Sequence, residues 1–384
     1  MRIKNTKMVG FIIGGIVCLS AALILTSGNS EVKTDVEVSQ SMEQAPITDF
    51  QKNEILDSIK RFPNNTQFAI ALVQGDETQF IGIERKDDRV YPISNRNSAF
   101  EIGSITKVFT ATLLADFVLS NTVAIEEDVN AYLPLQLNND INLNFLHLAN
   151  HTSGMPRWPE NIGFLSLISP SNPYKYYDEV DFYNYLSNDL EIQSGAGVQF
   201  RYSNLGMSLV GVTLSEIANQ SYEDLLQDRL LKPYKMENST TQRNSLNVAM
   251  VQGLDKEGDK TSNWDLNILA PSGGLFSTVD DLSQFVRAHF NLDDNLLAFT
   301  RKLTSDKGPS IGYRTLGMGL GWIILQPDDT ETWYWHNGGT GGYSSSMVIN
   351  VEKRQGVIVL SNVSAFNDQS ARVMRLGFSL INSF

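Results

Sequence analysis

The sequence predicts an α/β fold of the α+β type, in which helices flank one antiparallel sheet built from both ends of the chain. Two apolar strand-like runs, QFAIALVQ and TQFIGIER, surround a Gly-Asp-Glu turn near the start, and strand patterns return after about residue 311. Between about residues 121 and 300 the pattern is mostly helical with long loops. Strands at both ends therefore predict a sheet with an inserted, mostly helical lobe.

The first 30 residues have the layout of an export segment. Arg2, Lys4 and Lys7 precede an uncharged apolar run over residues 8–25, and small polar residues follow. The run is long for a signal peptide and just long enough to span a bilayer, so a cleaved signal and a retained membrane anchor both stay open. The positive flank predicts that the rest of the chain lies in the periplasm or at the outer face of the cell membrane.

Composition sets the class of protein that follows this segment. The 384 residues are 42% hydrophobic and 19% charged, which suits a large packed core. The 43 acidic residues exceed the 30 basic ones, which argues against nucleic acid as the main partner. Cys18 is the single cysteine, so the fold has no intrachain disulfide.

The elements are predicted in chain order. Residues 31–48 are a polar linker, and residues 49–384 form the folded domain, with the helical lobe at about 121–300. A first helix is capped by Thr48 and turns Phe50, Ile55 and Ile59 to one side. A last helix runs from about Asp368 to Asn382.

Ser104 and Lys107 begin the helix that follows the first strands, in the stretch AFEIGSITKVFTATLLA. Residues three apart share a helix face, so the hydroxyl and the amine can touch. A desolvated lysine can accept the serine proton, and a helix N-terminus suits a developing oxyanion. The alternative is ordinary capping with a solvated lysine, since the spacing also occurs by chance at Ser30 and Lys33.

Two further stretches carry polar groups that suit an active site. Tyr202 can relay a proton and Asn204 can bind a substrate carbonyl, unless the tyrosine only packs at a helix start and the asparagine caps it. His336 ends a strand-like run beside four glycines within residues 338–342, which would let a ligand backbone approach. The alternative is a glycine-rich hairpin below an aromatic cluster.

The remaining histidines give weaker signals. His147 and His151 are four apart, as on a zinc-binding helix, but neither has an adjacent glutamate, and the sequence predicts no metal site. The stretch around His151 indicates a helix end and a turn, and His289 is expected to be structural.

In this order, the three motifs resemble those of the serine β-lactamase and penicillin-binding-protein superfamily, especially its class C-like branch. The resembling stretches are Ser104-Ile105-Thr106-Lys107, Tyr202-Ser203-Asn204 and His336-Asn337-Gly338, and the likeness covers roughly residues 50–384. The resemblance implies a β-lactamase/transpeptidase-like fold and an acyl-enzyme at Ser104, with no metal or organic cofactor. It also implies that Lys107 and Tyr202 share the proton transfers, without deciding which is the base.

The substrate-binding residues implied by the resemblance are Asn204, His336, Asn337, Gly338 and Gly339. The backbone N–H groups of Ser104 and Gly339 would form the oxyanion hole. Class C β-lactamases usually carry a lysine where His336 stands, and a histidine is mostly neutral near pH 7. This departure favours a peptidase or an esterase over a β-lactamase.

The expected function is therefore an exported acyl-serine hydrolase that acts on D-amino-acid peptides, as a D-alanyl-D-alanine carboxypeptidase does, or on small esters. A class C-like β-lactamase is the second interpretation. A third is a non-catalytic relative that binds peptidoglycan or a protein partner. Besides the small-molecule or peptide substrate, the membrane is the expected contact of the N-terminal segment.

Overall fold

The computed structural model describes residues 47–384, and the predicted export segment and most of the polar linker lie outside this part. Within it, α-helices are separated by loops, several of them long, and by single turns of tighter or wider helix. The α-helices are α1 Asp49–Ile59, α2 Thr106–Leu119, α3 Phe145–Ala149, α4 Ile162–Ile168, α5 Glu179–Asn184, α6 Asn204–Ala218, α7 Tyr222–Leu226, α8 Val279–Ala288, α9 Asn295–Arg301 and α10 Ala371–Ile381.

The strands form one large antiparallel sheet and two small two-stranded pairs. The strands are β1 Gln67–Gln74, β2 Glu77–Lys86, β3 Arg89–Pro92, β4 Phe100–Glu101, β5 Phe276–Ser277, β6 Ser310–Ile311, β7 Arg314–Thr315, β8 Gly317–Met318, β9 Ile323–Leu325, β10 Trp333–Gly339, β11 Ser344–Asn350 and β12 Gln355–Ser361. In the described part the large sheet has the order β3-β2-β1-β12-β11-β10-β9-β8, while β4 pairs with β5 and β6 with β7.

The two ends of the chain meet at the centre of the large sheet. Strand β1 runs antiparallel to β12, with Phe68 opposite Ser361 and Gln74 opposite Gln355. In the chain, the helices α2 to α9 and the small strands β4 to β7 all lie between β3 and β8. The predicted fold class is thus confirmed, whereas the division into lobes at about 121–300 stays a prediction.

Side chains of β1 alternate between two hydrophobic cores, one on each face of the sheet. Ala69 and Ala71 join the larger core, which includes α2 and α8, while Phe68 and Ile70 join the smaller core below α1 and α10. Because both faces are covered, the strand is almost continuously apolar instead of alternating with polar residues. Strands β10 and β11 lie inside this sheet, and both contact the single helical turn directly before α2.

The first helix follows the sequence prediction, with one exception. Thr48 Oγ1 accepts a hydrogen bond from the Gln51 N–H, and Gln51 Oε1 accepts one from the Thr48 N–H, so the two residues form a capping box. Ile55 and Ile59 are fully buried, but Phe50 is 54% exposed, so it does not share their buried side as the sequence predicted. Phe50 is the second residue of the first turn, ahead of the turns that pack on the sheet.

The last helix is shorter than predicted. It begins at Ala371 and ends at Ile381, so the stretch from Asp368 to Ser370 precedes it. Helix α10 packs against β11 and β12 and against α1. Its first turns bring Ala371 and Met374 to the edge of a pocket described below.

Candidate active site

Ser104 lies in a single 3-10 turn, Gly103–Ile105, directly before α2. Its hydroxyl does not cap that helix, which was the alternative that the sequence left open, because neither helical turn has a side-chain cap. Thr106 instead donates its hydroxyl to the Gly103 carbonyl at 2.7 Å and accepts a hydrogen bond from the Leu275 N–H at 3.1 Å. The Ser104 side chain is half-buried and lines two pockets.

Lys107 is fully buried one turn further along, directly behind Ser104. Its Nζ lies 3.2 Å from Ser104 Oγ, 2.6 Å from Asn204 Oδ1 and 2.5 Å from the Ser272 carbonyl oxygen. The two carbonyl oxygens can only accept hydrogen bonds, so they take two N–H groups of Lys107. The third position of the amine faces Ser104, where an ammonium donates a hydrogen bond and a neutral amine accepts one.

Tyr202 and Asn204 lie at the start of α6. Ser203 is the cap of this helix and accepts a hydrogen bond from the Gly206 N–H at 2.8 Å. The asparagine is therefore not the cap, and its side chain accepts the hydrogen bond from Lys107. The centre of the Tyr202 ring lies 4.8 Å from Lys107 Nζ. The structure thus brings together Ser104, Lys107, Tyr202 and Asn204 from two distant segments.

His336 lies inside β10 and is buried beside this cluster, with its ring centre 6.4 Å from that of Tyr202. Its Nδ1 lies 2.7 Å from the Asn337 carbonyl oxygen and must donate to it, because a carbonyl cannot donate. Burial, and then the charge of Lys107, lowers the pKa of His336 to about 3. The imidazole is therefore neutral at physiological pH, and it offers no fixed cation to a substrate.

The glycines beside His336 admit the protein's own backbone. A Cβ on Gly338 would lie 1.9 Å from the Ile102 carbonyl oxygen. Gly103 has a positive φ of 53°, and a Cβ on it would lie 2.5 Å from the Gly339 nitrogen. The chain before Ser104 thus fills the space on the Cβ side of Gly338, while the expected approach of a ligand backbone stays a prediction. This contact places Ser104 against β10.

Ser104 separates two pockets. We call the first the His336 pocket: besides Ser104 it is lined by Phe200, Tyr202, Pro309, Ser310, Ile311, Ile323, Trp335, His336, Asn337, Gly338, Ser344, Ser345, Ala365, Ser370, Ala371 and Met374. We call the second the Trp264 pocket: besides Ser104 it is lined by Arg157, Trp158, Tyr174, Asn204, Trp264, Leu266, Ser272, Gly273, Gly339, Thr340, Ala365 and Phe366. The residues predicted from the sequence to bind substrate thus lie around one serine, divided between these two pockets.

The profile of the Beta-lactamase family matches residues 68–376, which include all three motifs. The chain belongs to the β-lactamase family. This assignment confirms the resemblance stated from the motifs.

Relatives of this β-lactamase family member include peptidases. The D-alanyl-D-alanine-carboxypeptidase/endopeptidase AmpH of Escherichia coli is 23% identical over 349 residues, which cover 85% of this chain and 87% of AmpH. A class C β-lactamase from Rhodobacter sphaeroides superposes with a TM-score of 0.68 at 17% identity, covering 88% of this chain and 99% of the other. A D-stereospecific amidohydrolase from Streptomyces superposes with a TM-score of 0.70 at 20% identity, covering 87% and 99%. These structures show a shared fold.

The structure of this β-lactamase family member adds His151 to the residues around the cluster. His151 follows α3 with a positive φ of 61°, which agrees with the predicted helix end and turn. Its ring centre lies 4.4 Å from that of Tyr202. Burial, and then the charge of Lys107, lowers the pKa of His151 well below its ordinary value. No spacing in the sequence indicates this contact, because 50 residues separate the two rings in the chain.

Glu101 is a second residue that the sequence did not indicate. It is buried below the Trp264 pocket, where its Oε1 accepts hydrogen bonds from Asn263 Nδ2 at 2.7 Å and from the Trp264 N–H at 3.0 Å. Burial raises the pKa of Glu101 to about 7, although hydrogen bonds from Thr340, Asn263 and Trp264 oppose the shift. The signal in the sequence is a lone carboxylate between the apolar residues Phe100 and Ile102.

The other histidines take structural positions. Helix α3 ends at Ala149, so His147 and His151 do not share a helix face as zinc ligands would. Within residues 47–384 no cluster of His, Cys, Asp and Glu is arranged to hold a metal ion. His289 is buried at the end of α8, where its Nδ1 lies 2.5 Å from Arg301 Nη1.

Proposed function

We propose that this chain is an exported acyl-serine hydrolase that forms an acyl-enzyme at Ser104. The observation that carries the proposal is the Lys107 amine, which is buried against the Ser104 hydroxyl and held there by Asn204 Oδ1 and the Ser272 carbonyl. A purely structural lysine has no need of a half-exposed hydroxyl as a third partner. A nucleophile that must lose its proton needs such a neighbour.

The first step is the attack of Ser104 Oγ on the carbonyl carbon of an ester or amide. As the bond forms, the serine proton passes to the Lys107 and Tyr202 pair, in which Lys107 Nζ lies 4.8 Å from the centre of the Tyr202 ring. Backbone N–H groups of Ser104 and Gly339 suit the oxyanion, because the Gly103 backbone packs directly against Gly339. Asn204 keeps the amine in position through its 2.6 Å hydrogen bond.

The second half of the reaction releases the two products. The bond from the acyl carbon to the leaving nitrogen or oxygen breaks, and Tyr202 and Lys107 return the proton to that atom. Water then attacks the acyl-enzyme, giving the free acid and restoring the serine hydroxyl. Apart from the substrate and this water, the groups named in the scheme are side chains or backbone amides of the chain itself.

Two lines of support favour peptides or esters as substrates. The names of AmpH and of the Streptomyces amidohydrolase refer to D-alanyl-D-alanine and to D-stereospecific cleavage, which fits D-amino-acid peptides. The neutral His336 also favours a peptidase or an esterase, because the site lacks the lysine usual in class C β-lactamases. Cell-wall peptides and small esters are therefore the proposed substrate classes.

Export is part of the proposal and is supported by the basic and apolar pattern of residues 1–30. Within residues 47–384 no helix combines the length and apolar character needed to cross a bilayer. Protease added to spheroplasts is expected to digest the folded domain without lysis of the cells. Protection until lysis would contradict export.

Covalent labelling tests the proposed chemistry. The purified full-length chain is treated with a fluorescent penicillin and with a fluorophosphonate, beside the variants Ser104→Ala and Lys107→Met. We expect a label on the wild-type chain, none on Ser104→Ala and at least about 1000-fold slower labelling of Lys107→Met. A folded wild-type chain that takes neither label would instead fit a non-catalytic binding protein, and rapid turnover of nitrocefin would fit a β-lactamase.

A further inference from the structure

The two pockets beside Ser104 differ in that only one of them is lined by a proton-transfer group. Tyr202 lines the His336 pocket, whereas Asn204 lines the Trp264 pocket. A leaving group must depart on the side from which it receives its proton. The leaving group therefore lies in the His336 pocket, and the acyl group lies in the Trp264 pocket.

The wall of the His336 pocket is apolar or uncharged throughout the described residues that line it. Its apolar side chains come from distant segments of the chain: Phe200, Ile311, Ile323, Trp335 and Met374. Among its hydroxyls, that of Ser345 donates to the Ile102 carbonyl and that of Ser344 to the Val363 carbonyl, both at 2.8 Å. His336 adds a neutral imidazole.

Most cations next to lining residues in the chain are bonded to other groups, and Arg375, which follows Met374, has an exposed side chain. They flank the lining residues but do not line the pocket themselves. Lys307 donates to the Gly197 carbonyl, Arg314 to the Gln326 and Pro327 carbonyls, Arg372 to the Gln369 side chain and Arg201 to the Gln193 side chain. Lys107 lies behind Ser104, where Asn204 and the Ser272 carbonyl hold it for proton transfer.

The Trp264 pocket differs from the His336 pocket in having a cation in its wall. Arg157 lines it together with four aromatic rings. The Trp158 and Tyr174 rings lie 4.6 Å apart, and Tyr174 meets Trp264 edge-on at 4.9 Å. A cation therefore stands on the acyl side of Ser104, and apolar side chains stand on the leaving-group side.

Resting on the proposed function, we infer that the preferred substrate has an uncharged, apolar leaving group, such as an alcohol or a blocked amine, and that a leaving group with a free carboxylate is disfavoured. A carboxylate in the His336 pocket would lose its hydration without gaining a partner cation, which is costly. The chain would then act within a peptide or on an ester instead of removing a free C-terminal amino acid.

A pair of matched substrates tests this inference. The N-acetyl-D-alanyl thioesters of mercaptoacetate and of methyl mercaptoacetate share one acyl group and differ by a methyl group that removes the negative charge. In both, the acyl–sulfur bond breaks and the released thiol is followed with a chromogenic thiol reagent. The two thiols differ in acidity, so kcat/KM is divided by the rate of the uncatalysed hydroxide reaction of the same thioester. We expect this ratio to be at least about tenfold higher for the methyl ester.

A cation added to the pocket should abolish the preference. Met374 lies on the first turns of α10 and lines the His336 pocket, so Met374→Lys places an ammonium at the leaving group. We expect the tenfold preference to fall to about onefold in Met374→Lys. The matched variant Met374→Gln is polar but uncharged and is expected to keep the preference.

The outcomes separate the inference from the proposed function. A wild-type chain that cleaves the mercaptoacetate thioester as fast as its methyl ester overturns the inference and leaves acyl transfer at Ser104 standing. Cleavage of neither thioester, together with no label at Ser104, overturns both. Thermal melts of the two Met374 variants show whether each is folded, and the comparison of substrates on the wild-type chain is independent of them.

Discussion

His151 holds the segment that carries Tyr202 from both sides. Its carbonyl oxygen accepts a hydrogen bond from the Arg201 N–H at 2.7 Å, and its Nδ1 accepts one from the Ser203 N–H at 3.3 Å. The centre of the imidazole lies 4.4 Å from that of the Tyr202 ring. The backbone N–H groups of the residues before and after Tyr202 are thus both bonded to one residue.

We predict that His151→Ala lowers kcat by about 10- to 100-fold with little change in KM, because a small shift of Tyr202 disturbs proton transfer more than binding. His151→Asn is the conservative variant. Asparagine tolerates the positive φ of 61° and its side-chain oxygen can replace Nδ1 as the acceptor. Steady-state kinetics on an ester substrate should show recovery in His151→Asn, and equal losses in the two variants would contradict a positioning role.

Glu101 is predicted to make stability depend on pH near neutrality. The pKa of a glutamate is about 4.5 in the unfolded chain, and burial raises that of Glu101 to about 7 in the folded one. Between these values the folded protein keeps a proton that the unfolded chain has released. The stabilising contribution is therefore complete below pH 4.5 and is lost as the pH rises through 7, a loss of about 3 kcal/mol.

The variant Glu101→Gln isolates this contribution, since the amide keeps an oxygen acceptor and stays neutral. Urea unfolding at pH 5, 6, 7 and 8 is expected to show Glu101→Gln gaining stability relative to the wild type as the pH rises. The buried neutral histidines change stability in the opposite direction with pH, so only the difference between the two proteins is diagnostic. Glu77→Gln, at an exposed residue, is the control. If the stability difference between Glu101→Gln and the wild type changed with pH no more than that of the control, the prediction would be contradicted.

Local features of the fold were accessible from the sequence. The capping box of Thr48 and Gln51 depends on residues three apart, and the contact of Ser104 with Lys107 depends on one helical turn. The long strands of the central sheet have seven to ten residues, and β1 and β12 carry apolar runs that predict them. The two-residue strands β4 to β7 carry no periodicity at all, and they were not predicted.

Long-range features of the site needed more than spacing. The hydrogen bond between Lys107 and Asn204 spans 97 positions, so only the resemblance of the motifs indicated it. The burial of Glu101 and the position of His151 depend on how distant loops pack, and neither residue belongs to a motif. The neutral state of His336 was expected from its residue type, and burial beside Lys107 strengthens it.

His336→Lys is predicted to improve activity on substrates whose leaving group bears a carboxylate. With its pKa at about 3, the wild-type imidazole stays neutral from pH 5 to 9 and contributes no step to the pH–rate profile in that range. A lysine would supply the missing cation, and its benefit should fall at high pH as the amine loses its proton. A pH–rate series of both forms on a charged and an uncharged substrate checks this. Identical series would contradict a position of residue 336 beside the carboxylate of the leaving group.

Gly338→Ala is predicted to damage both stability and acylation. The new Cβ would lie 1.9 Å from the Ile102 carbonyl oxygen and 2.4 Å from Ser345 Oγ, so β10 and the backbone before Ser104 must move apart. Overpacking of this kind costs about 1–3 kcal/mol, and the shift moves Ser104 away from Lys107. Urea unfolding and fluorophosphonate labelling should show both losses. Gly163→Ala is the control, because its Cβ would enter open space on α4, and an equal effect of the two changes would contradict the proposed contact.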